Sequence, residues 1–74
     1  MSRLPVVSCR EAVAAFQRAG YELDHQTGSH LVLRHKTGPH RRLTIPNHRE
    51  LAKGTLRSLI RESGLTVDEF VALL

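Results

Sequence analysis

The sequence has a single cysteine, no tryptophan, one tyrosine and two phenylalanines in 74 residues. One cysteine cannot form an internal disulfide, which suits a reducing compartment, here expected to be the cytoplasm. Cys9 stands at the start of a predicted helix and reads as a small packing side chain. No apolar run approaches the roughly 20 residues that span a bilayer, so no transmembrane helix is expected. The residues from Met1 to Val7 lack the apolar segment of a secretory signal. A chain this short forms one domain, residues 1–74, and buries only about 60% of its unfolded surface. A large enclosed substrate pocket is therefore not expected, and any chemistry belongs on an open surface.

One absence is local. Between His25 and Arg49 there is no Asp or Glu, although the chain carries seven acids. The same window holds five cations (Arg34, Lys36, Arg41, Arg42 and Arg49) and all five histidines. With a net charge of +4 and a pI near 10.2, this segregation points to a phosphate-rich partner.

The apolar residues that are present fall into readable patterns. Ser8-Cys9-Arg10-Glu11 has the S-x-x-E form of a capping box. It opens a helix with Ala12, Val13, Ala15, Phe16 and Ala19 on one side, and Gly20 is placed for its left-handed C-terminal cap. Leu56, Leu59 and Ile60 form the buried stripe of a second helix that Gly64 ends. Lys53, Arg57 and Arg61 make a basic ridge on another face of it. Thr66-Val67-Asp68-Glu69 is a second capping box, opening a short last helix with Val67, Phe70, Val71 and Leu74 facing inward.

Between the first two helices lie three alternating runs, Tyr21 to Gln26, His30 to Lys36 and Arg42 to Pro46. They are separated by Thr27-Gly28-Ser29 and Thr37-Gly38-Pro39 and predict an antiparallel meander. Pairing Leu23 with Leu33 on the apolar face selects a three-residue loop, Thr27 to Ser29, with Gly28 at positive φ. That register sets Glu22 opposite Arg34 and Gln26 opposite His30. It puts His25 and His35 on the core side and His30 on the open side. The order is α-β-β-β-α with a short terminal helix, an α+β fold whose three-stranded antiparallel sheet has helices on one face. Double-stranded-RNA-binding domains share this topology.

His30 is the candidate for chemistry. It follows Gly28-Ser29, where the backbone can approach a substrate closely, and an imidazole near neutral pH can take or give the protons of RNA cleavage. Neighbouring cations would stabilise charge on the phosphate. One histidine is less than a full acid–base pair, and the second proton carrier is not identified; His48 is positioned in a loop that could approach.

The ordered set Gly28-Ser29-His30, Ile45-Pro46-Asn47-His48, Lys53 to Arg61 and Ser63-Gly64-Leu65 resembles the HicA family of toxins from type II toxin–antitoxin pairs. The likeness runs from about Leu4 to Leu74. It implies a dsRBD-like fold and a metal-independent mRNA interferase with no cofactor, whose catalytic residue is the histidine after the glycine turn, His30. It further implies an mRNA substrate, a HicB-type antitoxin as partner, no membrane, and no DNA contact by this chain alone. The family's Lys-Gly-Thr helix start falls on Lys53, Gly54 and Thr55. With the charge pattern, the expected RNA-binding set is Ser29, Arg34, Lys36, Arg42, His48, Lys53 and Arg57, with Gly28 and Gly54 in turn and positioning roles.

Other readings stand beside this one. His25, His30, His35 and His40 recur every five residues, but an odd spacing alternates strand faces and the window supplies no cysteine or carboxylate for a closed zinc site. A non-catalytic module for double-stranded or structured RNA would use the same cations. A protein-interaction domain would use the helical face and need no nucleic acid.

Overall fold

The computed structural model describes residues 3–38 and 42–74; Pro39, His40 and Arg41, which fall in the second predicted turn and the charge window, lie outside them. The elements run α1 (Cys9–Arg18), β1 (Tyr21–Thr27), β2 (His30–His35), β3 (Leu43–Pro46), α2 (Lys53–Ser63) and α3 (Val67–Ala72). The sheet order is β1-β2-β3, antiparallel throughout. The predicted fold class is the observed one.

Both capping boxes form. The Ser8 hydroxyl accepts from the Glu11 amide at 3.1 Å, and the Glu11 carboxylate accepts from the Ser8 amide at 2.9 Å. Thr66 and Glu69 repeat the exchange at 3.1 and 2.8 Å. Each box satisfies two amides that a helix start leaves without partners. After α1 the chain turns at Gly20, φ +104°, where a Cβ would lie 2.9 Å from His35 Nε2. The Gly20 carbonyl then accepts from Lys36 N at 3.0 Å, locking the start of β1 against the end of β2.

The core lies between one sheet face and the helices. Phe16, Tyr21, Leu33, Leu43, Ile45, Leu56 and Phe70 are fully buried in one cluster. Phe16 joins it from α1, with its ring 5.1 Å from Phe70 and 6.0 Å from Tyr21. Losing such a ring costs about 3–5 kcal/mol, a large part of the stability of a domain this size.

Two expectations about packing are corrected. Val71, inside α3, and Leu74, past its end, are exposed, and Leu73 packs against the core instead. The Leu73 carbonyl is held by Arg18 Nη1 at 2.7 Å. Leu23 is 46% exposed although it pairs with Leu33, because β1 is an edge strand.

The hairpin between β1 and β2 also differs from the predicted register. Glu22 does face Arg34, and Leu23 faces Leu33. Past Asp24 the pairing shifts by one, so Thr27, not Gln26, stands opposite His30, and the turn is the two-residue Gly28-Ser29. A bulge at Asp24 absorbs the extra residue. It reconciles two demands that seemed exclusive, the Leu23–Leu33 pair and a two-residue turn. It also moves His25 opposite Val32, onto the open face rather than the core face.

Candidate active site

His30 is the first residue of β2, opposite Thr27 on β1 and Pro46 on β3, and its side chain is exposed. It lies on the sheet face away from the helices, since Leu31 and Leu33 on the same strand point to the core. Ser29 Oγ and His30 Nδ1 share a hydrogen bond at 3.3 Å. Gly28 takes φ +42° with nothing within 4 Å of its Cβ position, so this turn needs glycine for its backbone and not for space.

A second tie organises the same end of the sheet. The Asn47 amide donates to the Ser29 carbonyl at 2.8 Å, and Cys9 N donates to the His48 carbonyl at 2.9 Å. The segment from Pro46 to His48 thus bridges the hairpin turn and the start of α1. Beside it an open groove of about 180 Å³ is lined by Ser8, Arg10, Asn47, His48 and Arg49. Arg10 comes from the first turn of α1, 39 positions before Arg49 in the sequence. Among the described residues neither arginine is in an ion pair.

The expected RNA-binding residues are spread along the sheet and over α2. Arg34 is four residues beyond His30 on the same strand, about 13 Å away at the usual strand rise. Its guanidinium is held by Glu22, with Nη2 2.8 Å and Nε 2.9 Å from Oε1. Arg42 lies 3.8 Å from Asp24 Oδ2. The acid-free window is therefore not an acid-free face, because β1 brings Glu22 and Asp24 alongside β2. Lys36, just past β2, is at the far end of the sheet from His30, about 20 Å along the strand.

Lys53 and Arg57 are exposed on α2. An open groove of about 400 Å³ between β3 and α2 is lined by Arg42, Thr44, Thr55, Ser58, Leu59 and Glu62. At 3.6 residues per turn, Lys53, Arg57 and Arg61 lie on the opposite flank of α2. Gly54 is in the first turn of α2, exposed and with open space at its Cβ position. That turn contains no acid, and Ala52 at its N-cap provides no side-chain acceptor. The end of the helix dipole is left open to an anion.

The histidines divide by environment. His35 is half-buried on the core side, as expected. Its ring meets Tyr21 edge-on at 4.9 Å, and its Nδ1 accepts from the amides of Thr37 and Gly38 at 3.3 and 3.0 Å. His25 is on the open face, donating from Nδ1 to Asp24 Oδ2 at 2.9 Å. That bond, with the charges of Arg42, His25 and Arg34, holds the Asp24 carboxyl below the usual range despite some desolvation. Among the described residues no three His, Cys, Asp or Glu side chains are grouped to hold a metal. Burial pushes the Cys9 thiol up, away from nucleophile behaviour. Among the described residues no helix is long and apolar enough to cross a membrane.

Sequence reasoning missed His25, Arg10 and Asn47 at this end of the molecule. Asp24, a poor strand former, was the available sign of a bulge. Asn47 stood only within the Ile45-Pro46-Asn47-His48 motif, and nothing local marked Arg10.

The family model for the HicA toxin of bacterial toxin–antitoxin systems matches residues 9–65. The chain belongs to the HicA toxin family. It is thus the toxin of a toxin–antitoxin system, and a HicA toxin implies a cognate antitoxin as partner. The match covers α1 to Leu65, including the Gly28-Ser29-His30 turn and the Pro46 to His48 segment. Comparison with curated proteins finds no match.

Proposed function

We propose that this HicA toxin is a metal-independent endoribonuclease that cuts mRNA in the cytoplasm, with His30 transferring a proton at the scissile phosphodiester. The observation that carries this reading is the placing of His30. The imidazole is exposed at the end of the open sheet face, next to a glycine turn that is tied to Asn47. A positioned general acid or base contributes about 10²–10⁴-fold. The open surface lets a polymer run past the group without a pocket.

RNA is held next to His30 mainly by cations that have no carboxylate partner among the described residues. These are Arg10 and Arg49 with His48 and Ser29, followed by Lys53 and Gly54 at the open end of α2 and by Arg57. Arg34 and Arg42, already paired with Glu22 and Asp24, hold the strand more weakly, and Lys36 touches only RNA extending along the sheet. The chain alone makes no DNA contact. A HicB-type antitoxin inhibits by covering the His30 end of the sheet.

The test is expression of the toxin and of His30→Ala in cells without antitoxin. Growth arrest with transcript cleavage by the wild type, and neither by the variant, supports the reading. RNA binding of nearly equal strength in both proteins with no cleavage by either would make the chain a binding module. Activity of the purified protein in EDTA checks metal independence.

A further inference from the structure

Resting on the endoribonuclease reading, the geometry points to a second proton carrier: we infer that His25, oriented by Asp24, is the general acid that complements His30. The two histidines occupy diagonal positions on the open face. His25 stands opposite Val32, His30 opposite Thr27, and each pair is two residues from the other along its strand. Diagonal neighbours of this kind lie about 7–8 Å apart, within reach of aromatic side chains. Two imidazoles at that separation can flank one phosphodiester.

The bulge at Asp24 creates this arrangement. In the unbulged register His25 would point into the core; the extra residue turns it outward beside its own carboxylate. Because Asp24 Oδ2 can only accept, His25 Nδ1 is the donor of their 2.9 Å bond. This fixes the ring and leaves Nε2 to present a proton to solvent or substrate. The groups around His25 are Asp24 and Glu22 on its own strand, His30 and Arg34 on β2, and Arg42 ahead of β3. Arg34 Nε lies 4.0 Å from Asp24 Oδ1 and Arg42 Nη1 lies 3.8 Å from Oδ2, the oxygen that also accepts from His25, and their charges favour the anionic carboxylate.

The chemistry then balances without a metal or co-reactant. His30 removes the 2′-hydroxyl proton, and the 2′-oxygen forms a bond to phosphorus. The bond from phosphorus to the 5′-oxygen breaks, and that oxygen takes the proton from His25 Nε2. The products are a 2′,3′-cyclic phosphate and a free 5′-hydroxyl. Afterwards His30 holds the extra proton and His25 lacks one, and exchange with solvent resets both. Asp24 is a positioning residue.

The experiment compares an ordinary RNA with one whose scissile 5′-oxygen is replaced by sulfur, a leaving group that departs without protonation. With ordinary RNA, His25→Gln lowers kcat about 10²–10⁴-fold, with little change in KM. On the thio substrate the variant approaches the wild-type rate, and His30→Ala remains inactive on both. Asp24→Asn shows the same pattern in weaker form. If the wild type cleaves and His25→Gln cleaves ordinary RNA equally fast, the inference is wrong and the His30 reading stands. It is equally wrong if the loss persists on the thio substrate. If the wild type cuts neither RNA, the endoribonuclease reading itself fails and this inference falls with it.

Discussion

Asn47 donates its amide hydrogen to the carbonyl of Ser29 at 2.8 Å, joining the loop after β3 to the turn that carries His30. His48 and the groove at Arg10 and Arg49 are placed through this bond, so it couples the proposed RNA surface to His30, the proposed catalytic residue. Asn47→Pro removes the donor. We expect a stability loss of about 1 kcal/mol for the hydrogen bond, measured by denaturant unfolding, with a larger proportional fall in RNA cleavage. A variant with normal activity would separate the loop from catalysis.

Gly28 adopts φ +42° in open space. Replacing it with alanine therefore meets strain and no clash. Gly28→Ala should lower stability by about 1–2 kcal/mol, and Gly28→Asn by less, because asparagine tolerates the left-handed region better. Thermal melts of the two variants give the ordering, and Ala equal to or milder than Asn contradicts it.

The Tyr21 hydroxyl is buried and has no hydrogen-bond partner among the described residues. Burial, reinforced by the Glu62 carboxylate, pushes its phenol above the ordinary range. Tyr21→Phe keeps the edge contacts to Phe16 and His35 and removes an unsatisfied oxygen. Stability should hold or rise, by up to about 1–3 kcal/mol. A clear loss in a denaturant titration would reveal a partner for that oxygen.

Asp24 gives a pH signature. Its carboxyl is lowered in the folded chain, chiefly by the hydrogen bond from His25, so folding favours the ionised form. The contribution is present above the ordinary carboxylate value of about 3.9 and fades as pH falls through the folded value. The stability gap between wild type and Asp24→Asn should therefore be steady near neutrality and close below about pH 4. A gap that widens in acid has the wrong sign.

Much of this was legible in the residues. The capping boxes at Ser8 and Thr66 marked two helix starts, and alternation through Leu31, Leu33, Leu43 and Ile45 marked the core face. Those signals are local and periodic, and they placed His30 on the open face. The bulge was signalled only by Asp24, a poor strand former, because a one-residue slip costs nothing in composition yet reverses every later side chain on the strand. His25 was misplaced for that reason. The window from His25 to Arg49 is acid-free along the sequence, but Glu22 and Asp24 lie outside it and reach Arg34 and Arg42 through strand pairing. Arg10 enters the groove by a long-range contact that no spacing rule announces.

The central claim is that the His30 imidazole transfers a proton during RNA cleavage. Single-turnover cleavage of an end-labelled RNA, with folding and binding measured on the same preparations, tests it most directly. The account predicts that His30→Ala keeps the wild-type melting temperature to within a few degrees, binds RNA nearly as well, and cuts at least about 100-fold more slowly. Cleavage by His30→Ala at the wild-type rate would contradict it.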